Sequence, residues 1–257
     1  MSPRCSTERV THIDITALAP ETGPLDHDAL ADRYAPPAAP WLRVNFVTSI
    51  DGAVSVDGRS AGLSTPADRR VFHLLRARCD ALLVGAGTVR DERYGPLRAD
   101  DSWRRWRTAR GLPADPVMVV LSRTLDLDPA RPAFREAPRR PIVLTAADAP
   151  ADRRAALSET TEVLTVGQDR VDLPAAVALL RERGLHQLLS EGGPRLFGEL
   201  TAADLVDEVC LTVSPLLAGA GAGRITAGPA SPLRAMTLRH ALTADDVLFL
   251  RYHRATS

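Results

Sequence analysis

Hydrophobic and polar positions recur with two different periods along the chain, and this alternation predicts a sheet covered by helices. Short apolar runs predict strands at residues 42–50, 81–84, 117–121, 142–144, 163–166, 187–190 and 209–213. Helical spacing between several of these runs predicts helices at residues 66–78, 152–157, 174–183 and 194–200. Two more strands, at residues 233–242 and 247–252, follow one another without a helix. The pattern favours an α/β fold with a mixed, mostly parallel sheet and an antiparallel strand pair at its C-terminal end.

Capping and turn residues mark where several of these elements begin and end. Thr65 can cap the first long helix, Pro66 suits its first turn, and Asp68 supplies the acidic residue of a capping box. Gly184 closes the helix predicted at residues 174–183. Asp–Gly pairs at residues 51–52 and 57–58 predict turns soon after the first strand.

The first 40 residues are interpreted as an irregular extension that ends in the proline-rich stretch 35–40. Within it, residues 11–18 could form one short strand. The rest of the chain, residues 41–257, is interpreted as a single domain, since 257 residues can bury one sizeable core and no internal repeat is visible.

Composition narrows the chemistry, because all 32 basic residues are arginine and lysine is absent. Without lysine the chain can form no side-chain Schiff base and no Walker A P-loop. The favoured explanation for the missing lysine is codon bias in a GC-rich genome. The 32 basic residues balance 32 acidic ones, which argues against nucleic-acid binding through bulk charge.

The remaining composition is typical of a soluble cytoplasmic protein. The apolar runs are too short to span a membrane, and no secretory signal is visible. Cys5, Cys79 and Cys210 are widely spaced, so they predict neither a disulfide framework nor a zinc site, and no metal is expected. The run at residues 103–107 alternates tryptophan with arginine, and we interpret it as a solvated loop or short helix rather than a nucleic-acid site.

Two glycine turns follow predicted buried strands, and they are the main candidates for ligand binding. One is the Gly85-Ala86-Gly87-Thr88 turn, and the other is Glu191-Gly192-Gly193. Both stand where a parallel sheet binds its ligands, at the carboxyl end of a strand, so together they favour a dinucleotide site. A tight strand–helix turn is the alternative for the first, since it lacks the third glycine of G-x-G-x-x-G.

Arginine and hydroxyl side chains near this edge suggest a phosphorylated cofactor and substrate. Ser122 and Arg123 follow a predicted strand and could bind a 2′-phosphate, which would favour NADP over NAD. A strand-terminal turn with a solvated arginine is the alternative. Arg76 and Arg98 are candidates for a substrate phosphate.

Six segments in register carry a resemblance to a known family. They are 47–52 (VTSIDG), 75–77 (LRA), 80–89 (DALLVGAGTV), 191–194 (EGGP), 205–208 (LVDE) and 214–217 (SPLL). Over residues 41–252 the chain resembles the riboflavin-pathway pyrimidine reductases, the reductase domain of bifunctional deaminase-reductases. It is most similar to a stand-alone actinobacterial branch, since the zinc deaminase pattern H-x-E with P-C-x-x-C is missing.

The resemblance implies a dihydrofolate-reductase-like three-layer fold, a homodimer and NADPH as cofactor. It also implies reduction of 5-amino-6-(5-phosphoribosylamino)uracil to the ribitylamino form, by hydride transfer to C1′ of a ring-opened imine. The implied cofactor-binding residues are Val47, Gly85, Gly87, Thr88, Glu92, Ser122, Arg123, Gly192 and Gly193. The implied substrate-binding residues are Ser60, Arg76 and Arg98, and the catalytic candidates are Glu191, Asp51 and Asn45.

Departures from the family pattern leave two further hypotheses. Many members carry lysine where this chain has Asn45, and residues 90–96 differ from the usual acidic pair and proline. For Asp51, a turn role is the alternative to proton handling. The second hypothesis is a reductase of another heterocycle, such as dihydrofolate or a dihydropterin. The third is a catalytically silent NADPH-binding protein.

Overall fold

The computed structural model describes residues 24–221 and 223–255. The helices are α1 (His27–Arg33), α2 (Pro66–Ala77), α3 (Ala86–Asp91), α4 (Asp101–Thr108), α5 (Pro132–Arg135), α6 (Ala151–Ser158), α7 (Leu173–Glu182) and α8 (Pro194–Ala202). The strands are β1 (Trp41–Ser49), β2 (Ala81–Gly85), β3 (Val117–Leu121), β4 (Ile142–Thr145), β5 (Glu162–Thr165), β6 (Gln187–Ser190), β7 (Glu208–Ser214), β8 (Met236–Ala244) and β9 (Val247–Arg254). Cys5 and the strand expected at residues 11–18 lie outside the described residues.

The nine strands form one sheet in the order β5-β4-β3-β2-β6-β1-β7-β9-β8. Strands β1 to β7 pair in parallel with their neighbours, whereas β9 pairs antiparallel with β7 and β8. The sequence prediction of a mostly parallel sheet with a C-terminal antiparallel pair is therefore confirmed. The predicted strand at 233–242 was placed three residues early, since β8 begins at Met236 and Leu233 is exposed.

Two hydrophobic cores cover the two faces of this sheet, so the molecule has three layers. One core joins Leu74 and Leu75 of α2 to Leu82 and Val84 of β2. The other joins helices α7 and α8 to the opposite face, where Leu42 and Val44 of β1 point. Alternate residues of β1 therefore face opposite layers, as the two-residue period of a strand requires.

Helix α1 corrects the interpretation of an irregular extension at residues 27–33, which are helical. The Asp26 side chain caps it by accepting a hydrogen bond from the backbone nitrogen of Ala29, at 2.8 Å. Leu30 and Ala31 are buried in the same core as α2, and so is Tyr34 just beyond the helix. The helix has only seven residues, too few for its periodicity to stand out in the sequence.

A buried ionic cluster attaches α1 to the sheet. The fully buried Glu208 carboxylate accepts hydrogen bonds from Arg43 (3.1 Å) and from Nε of Arg251 (2.8 Å). Arg43 also donates to the carbonyl of Tyr34, and Arg251 donates to those of Arg33 and Ala35. The two guanidinium groups thus satisfy carbonyls at the end of α1 that the helix leaves without a partner.

The arginine–tryptophan run is helical but not solvated on every side. It forms α4, in which Trp103, Trp106 and Arg107 are buried. The Arg107 guanidinium donates hydrogen bonds of 2.7 Å to the carbonyls of Ala77 and Cys79. The run is therefore a packing element, and its basic residues do not form one exposed face. Among the described residues, no helix is both long and apolar enough to cross a membrane.

Candidate active site

A cavity of about 560 Å³ opens at the carboxyl edge of the sheet, where parallel strands end side by side. Strand β1 contributes Asn45, Phe46 and Val47, and Glu191, Gly193 and Pro194 follow β6. One face of α2 supplies Asp68, Arg69, Phe72, His73 and Arg76, and the segment from Thr88 to Leu97 closes the other side. The cavity therefore lies between α2 and the glycine turns.

The two glycine turns predicted from the sequence lie next to each other, because β2 and β6 are neighbours in the sheet. The backbone nitrogen of Gly85 donates a 2.8 Å hydrogen bond to the carbonyl oxygen of Gly192. A Cβ atom on Gly193 would lie 2.9 Å from Oγ1 of Thr88. Gly192 has a φ of +86°, and a Cβ there would lie 2.7 Å from the Phe46 ring. Only glycine leaves room for these backbone approaches.

Glu191 forms the polar centre of the cavity wall, in contact with α2. Its Oε1 accepts a 2.7 Å hydrogen bond from Nε of Arg76, and its Oε2 accepts one of 2.6 Å from a terminal nitrogen of the same guanidinium. The phenol of Tyr94 donates to Oε2 as well, at 2.6 Å. The Arg76 guanidinium also lies 4.0 Å from the Phe72 ring centre. This bidentate geometry is the strong form of a charge-assisted hydrogen bond.

The electrostatics of this cluster keep the arginine charged and the phenol protonated. Burial opposes the charge of Arg76, but the Glu191 carboxylate raises the pKa of Arg76 above its usual value. Burial and the neighbouring Glu191 charge raise the pKa of Tyr94 well above that of a free phenol. Burial, and then the charge of Arg76, lowers the pKa of His73.

Tyr94 is a site residue that the sequence reasoning missed. It follows the C-terminal end of α3, where Arg93 adopts a left-handed φ of +54°. The Tyr94 nitrogen donates to the carbonyl of Val89, and the Arg93 nitrogen donates to that of Arg90. These two bonds form a Schellman motif, which usually has glycine at the left-handed position. Because arginine and not glycine occupies this position, the sequence carried no signal for the turn that places Tyr94 beside Glu191.

Eight of the predicted site residues line the cavity and seven do not. Those that line it are Asn45, Val47, Ser60, Arg76, Thr88, Glu92, Glu191 and Gly193. Gly85, Gly87 and Gly192 form the adjoining turns, while Asp51, Arg98, Ser122 and Arg123 lie farther away. Ser60 and Glu92 were assigned to different ligands, yet the Ser60 nitrogen donates to the Glu92 carboxylate at 2.9 Å.

Asp51 supports a turn and does not line the cavity between α2 and the glycine turns. Its carboxylate accepts hydrogen bonds from the hydroxyl of Ser49 and from the backbone nitrogens of Ala218 (3.2 Å) and Gly219 (2.8 Å). The Ser49 hydroxyl and these two N–H groups lower the pKa of Asp51. The geometry corresponds to the turn alternative raised from the sequence.

Ser122 and Arg123 lie at the same edge of the sheet, one strand away from the glycine turn. Leu121, which ends β3, pairs with Gly85. Ser122 is buried, whereas the Arg123 side chain is 60% exposed and 3.7 Å from Asp148. The guanidinium is therefore accessible to a ligand that extends past Gly85.

The basic residues of the cavity agree only in part with those expected, since Arg76 lines it and Arg98 does not. Arg98 is exposed outside it, and Arg76 already binds Glu191. Arg69 and Arg93 line the cavity and are exposed to solvent. Arg69, His73 and Arg76 follow the i, i+4, i+7 spacing of one helix face, so the sequence contained a signal for Arg69.

Comparison with known proteins identifies the family of this chain. The RibD C-terminal domain family matches residues 40–250. A relative from Methanothermobacter thermautotrophicus, named 2,5-diamino-6-ribosylamino-4(3H)-pyrimidinone 5′-phosphate reductase, is 32% identical over 185 residues, or 70% of this chain and 80% of its own. The relative of that name from Archaeoglobus fulgidus is 29% identical over 181 residues, or 70% of this chain and 82% of its own.

A solved structure extends the likeness to the fold. A pyrimidine reductase-like protein from Corynebacterium diphtheriae has a TM-score of 0.78 at 25% identity, over 85% of this chain and 93% of its own. The resemblance seen in the sequence, and the dihydrofolate-reductase-like fold it implied, are thereby confirmed. The matched segment includes the glycine turns, Glu191 and the first strand, and the chain belongs to the RibD C-terminal domain family.

Proposed function

We propose that this protein is an NADPH-dependent reductase of a 6-(5-phosphoribosylamino)pyrimidine in riboflavin biosynthesis. The observation that carries the proposal is the cavity in which Glu191, held by Arg76, faces the paired glycine turns. The two similar relatives are named for the 2,5-diamino-4(3H)-pyrimidinone phosphate, so this compound is our first substrate. The uracil implied by the sequence resemblance, with oxygen in place of the 2-amino group, is the second.

The residues around the turns fit a dinucleotide cofactor. Gly85, Gly192 and Gly193 present backbone without side chains beside Thr88, where an added Cβ on Gly193 would lie 2.9 Å from Oγ1 of Thr88. Val47 and Thr88 would hold the nicotinamide end, and the Gly192–Gly193 turn would hold the diphosphate. Ser122 and Arg123 would meet the adenosine end and a 2′-phosphate. NADPH, when bound, supplies a hydride.

The cavity residues would bind and orient the substrate. Arg69 and Arg93 would attract its phosphate, since both are exposed cations on the cavity wall. Asn45 would offer an amide that can both donate and accept hydrogen bonds. Glu191 would accept a hydrogen bond from the substrate close to C1′. Opening of the ribose ring breaks the bond between C1′ and the ring oxygen, which becomes a hydroxyl by taking the proton of the attached nitrogen, and leaves an imine between C1′ and that nitrogen. Reduction of this imine at C1′ then consumes one proton, which the nitrogen takes.

Oxidation of NADPH followed by its absorbance tests the function. We expect turnover with one or both pyrimidine phosphates and none with dihydrofolate. Absence of turnover with both pyrimidines, despite measurable NADPH binding, would contradict the proposal and favour a silent NADPH-binding protein. Turnover of dihydrofolate alone would favour the second hypothesis from the sequence. Glu191→Gln should reduce kcat more than NADPH affinity, and equal losses would contradict a substrate-side role.

The homodimer implied by the family resemblance and a cytoplasmic location are separate proposals. Light scattering of the purified protein checks the first, because a dimer doubles the mass of 27.7 kDa calculated for one chain. Cell fractionation checks the second.

A further inference from the structure

Tyr94 lines the cavity but has no part in the function proposed above. Its hydroxyl lies 2.6 Å from Oε2 of Glu191, on the same oxygen that a terminal nitrogen of Arg76 contacts. The Glu191 side chain is only 3% exposed, so water competes little for these contacts.

The phenol of Tyr94 occupies a hydrogen-bond acceptor site of the Glu191 carboxylate. A carboxylate oxygen can accept two hydrogen bonds in its plane. Arg76 and Tyr94 together occupy both sites on Oε2, whereas Oε1 accepts one bond, from Nε of Arg76. One acceptor site on Oε1 is left, and Glu191 lines the cavity.

The backbone after α3 positions the Tyr94 side chain. The Schellman motif at Val89, Arg93 and Tyr94 fixes where the ring leaves α3. The Arg76 guanidinium lies 5.4 Å from the Tyr94 ring centre and 4.0 Å from that of Phe72, so it is within cation–π distance of both aromatic rings.

We propose that Tyr94 is a positioning residue that saturates Oε2 of Glu191, so that the carboxylate presents one oriented acceptor on Oε1 to an N–H or O–H group of the substrate. This inference rests on the proposed function, since it names how Glu191 acts in that reaction. Without the phenol, Oε2 would offer a second free acceptor beside the one on Oε1, while Arg76 would still hold the carboxylate in place. The substrate would then bind in more than one orientation, and the reacting carbon would be misplaced.

Kinetics of Tyr94→Phe test the role, with Tyr252→Phe as the matched control. Tyr252 is a partly buried tyrosine on β9 that does not line the cavity. For Tyr94→Phe we expect kcat to fall about tenfold to a hundredfold, the range for a lost hydrogen bond to a charged group, with little change in KM for NADPH. Tyr252→Phe should leave both values unchanged.

A double-mutant cycle shows whether Tyr94 acts through Glu191. If it does, Tyr94→Phe combined with Glu191→Gln should be no slower than Glu191→Gln alone. Additive losses, or an unchanged kcat in Tyr94→Phe, would overturn the inference. No turnover by the wild-type enzyme would contradict the proposed function instead.

A titration of the phenol tests the contact without any activity. Phenolate absorbance of the wild type minus that of Tyr94→Phe reports the ionisation of Tyr94 alone. We expect this ionisation well above the ordinary value of about 10, and at a lower pH in Glu191→Gln, where the neighbouring charge is gone. Arg76, His73 and Cys79 also face Glu191, and they are the same in both proteins. Identical titrations would show that the contact is absent and would overturn the inference.

Discussion

The backbone nitrogen of Gly85 and the carbonyl oxygen of Gly192 form a 2.8 Å hydrogen bond, which joins the two glycine turns into one backbone unit. The turns are more than a hundred positions apart in the sequence, yet the adjacency of β2 and β6 places them together. A change in either turn should therefore affect stability and cofactor binding at the same time.

We expect Gly192→Ala to lower the free energy of unfolding by about 2–4 kcal/mol. A methyl group would require a left-handed backbone and would lie 2.7 Å from the Phe46 ring. Affinity for NADPH should fall as the turn shifts. Urea unfolding and NADPH fluorescence titration measure the two effects.

Gly184→Ala separates the backbone cost from the steric one. Gly184 has a similar φ of +80°, but no atom lies within 4 Å of the position of an added Cβ. Its cost should be about 1–2 kcal/mol, with no change in NADPH affinity. Equal effects of the two variants would argue against close packing at Gly192.

Arg123→Ala should raise KM for NADPH about tenfold and leave KM for NADH unchanged. The variant would lose the charge-assisted hydrogen bond to the 2′-phosphate that we propose for Arg123, and NADH has no such phosphate. Arg239→Ala, at an exposed position on β8, is the control. A native preference for NADH would count against this role for Ser122 and Arg123.

Asp51→Asn distinguishes the turn role from proton handling. Asp51 accepts hydrogen bonds from two backbone nitrogens in the loop after β7 and lies outside the cavity. We expect kcat to stay at the wild-type value while the melting temperature falls slightly. A large loss of kcat without a change in melting temperature would restore Asp51 as a catalytic candidate.

Glu208→Gln should destabilise the fold by about 3–5 kcal/mol, since it leaves Arg43 and Arg251 buried without a counter-charge. In the surface pair of Glu162 and Arg183, one terminal nitrogen of the arginine contacts both carboxylate oxygens, but each side chain is 39% exposed. Glu162→Gln should therefore cost about 1 kcal/mol or less. Denaturant unfolding of the two variants gives the comparison, and equal costs would contradict the role of burial.

The same carboxylate predicts acid sensitivity. Burial alone would raise the pKa of Glu208, but Arg43, His253 and Arg251 hold it well below its ordinary value. A depressed pKa stabilises the fold above the unfolded value of about 4.3 and loses that contribution as the pH falls below it. Glu208→Gln should therefore show a flatter decline in unfolding free energy below this pH than the wild type.

His240 should lower the stability of the fold in a pH range above the one in which Glu208 acts. Burial, and then the charge of Arg251, lowers the pKa of His240 to about 4. In the unfolded chain this histidine binds a proton at about pH 6.5, well above the pH at which it does so in the fold. The free energy of unfolding therefore falls progressively as the pH falls from about 6.5 towards about 4. Glu208, Arg33 and Arg43 also face this ring, and the depressed pKa of Glu208 keeps its carboxylate ionised across that range. His240→Phe should flatten the decline between these two pH values, and an unchanged slope would contradict the assignment.

The alternating strands and helices could be predicted from the sequence, because each buries an apolar face with its own period. Strands β3 and β6 fall where the apolar runs place them. Helix α1 could not be predicted this way. It is short, and its last carbonyls bind Arg251, which is 218 residues from Arg33. That contact depends on the strand order and is invisible in any local window.

The candidate site likewise has parts that could be predicted from the sequence and parts that could not. The glycine turns were identifiable because their residues are local and their strands are parallel. The pairing of Arg76 with Glu191 spans 115 residues and depends on how α2 is rotated over the sheet. The sequence therefore identified both residues but assigned the arginine to a phosphate. Tyr94 was missed because its position depends on the left-handed backbone of Arg93.

Strand β1 lies between β6 and β7, and this order has a consequence for synthesis of the chain. Arg43 and its partner Glu208 are 165 residues apart, so translation at about 5–20 residues per second separates them by roughly 8–33 s. The future centre of the sheet has neither neighbouring strand until residues 187–190 of β6 are made, and Arg43 has no counter-charge until Glu208 is made. We therefore expect β1 to pair with its neighbours only late in synthesis. Until then residues 41–49 are exposed, and we expect chaperones to bind them.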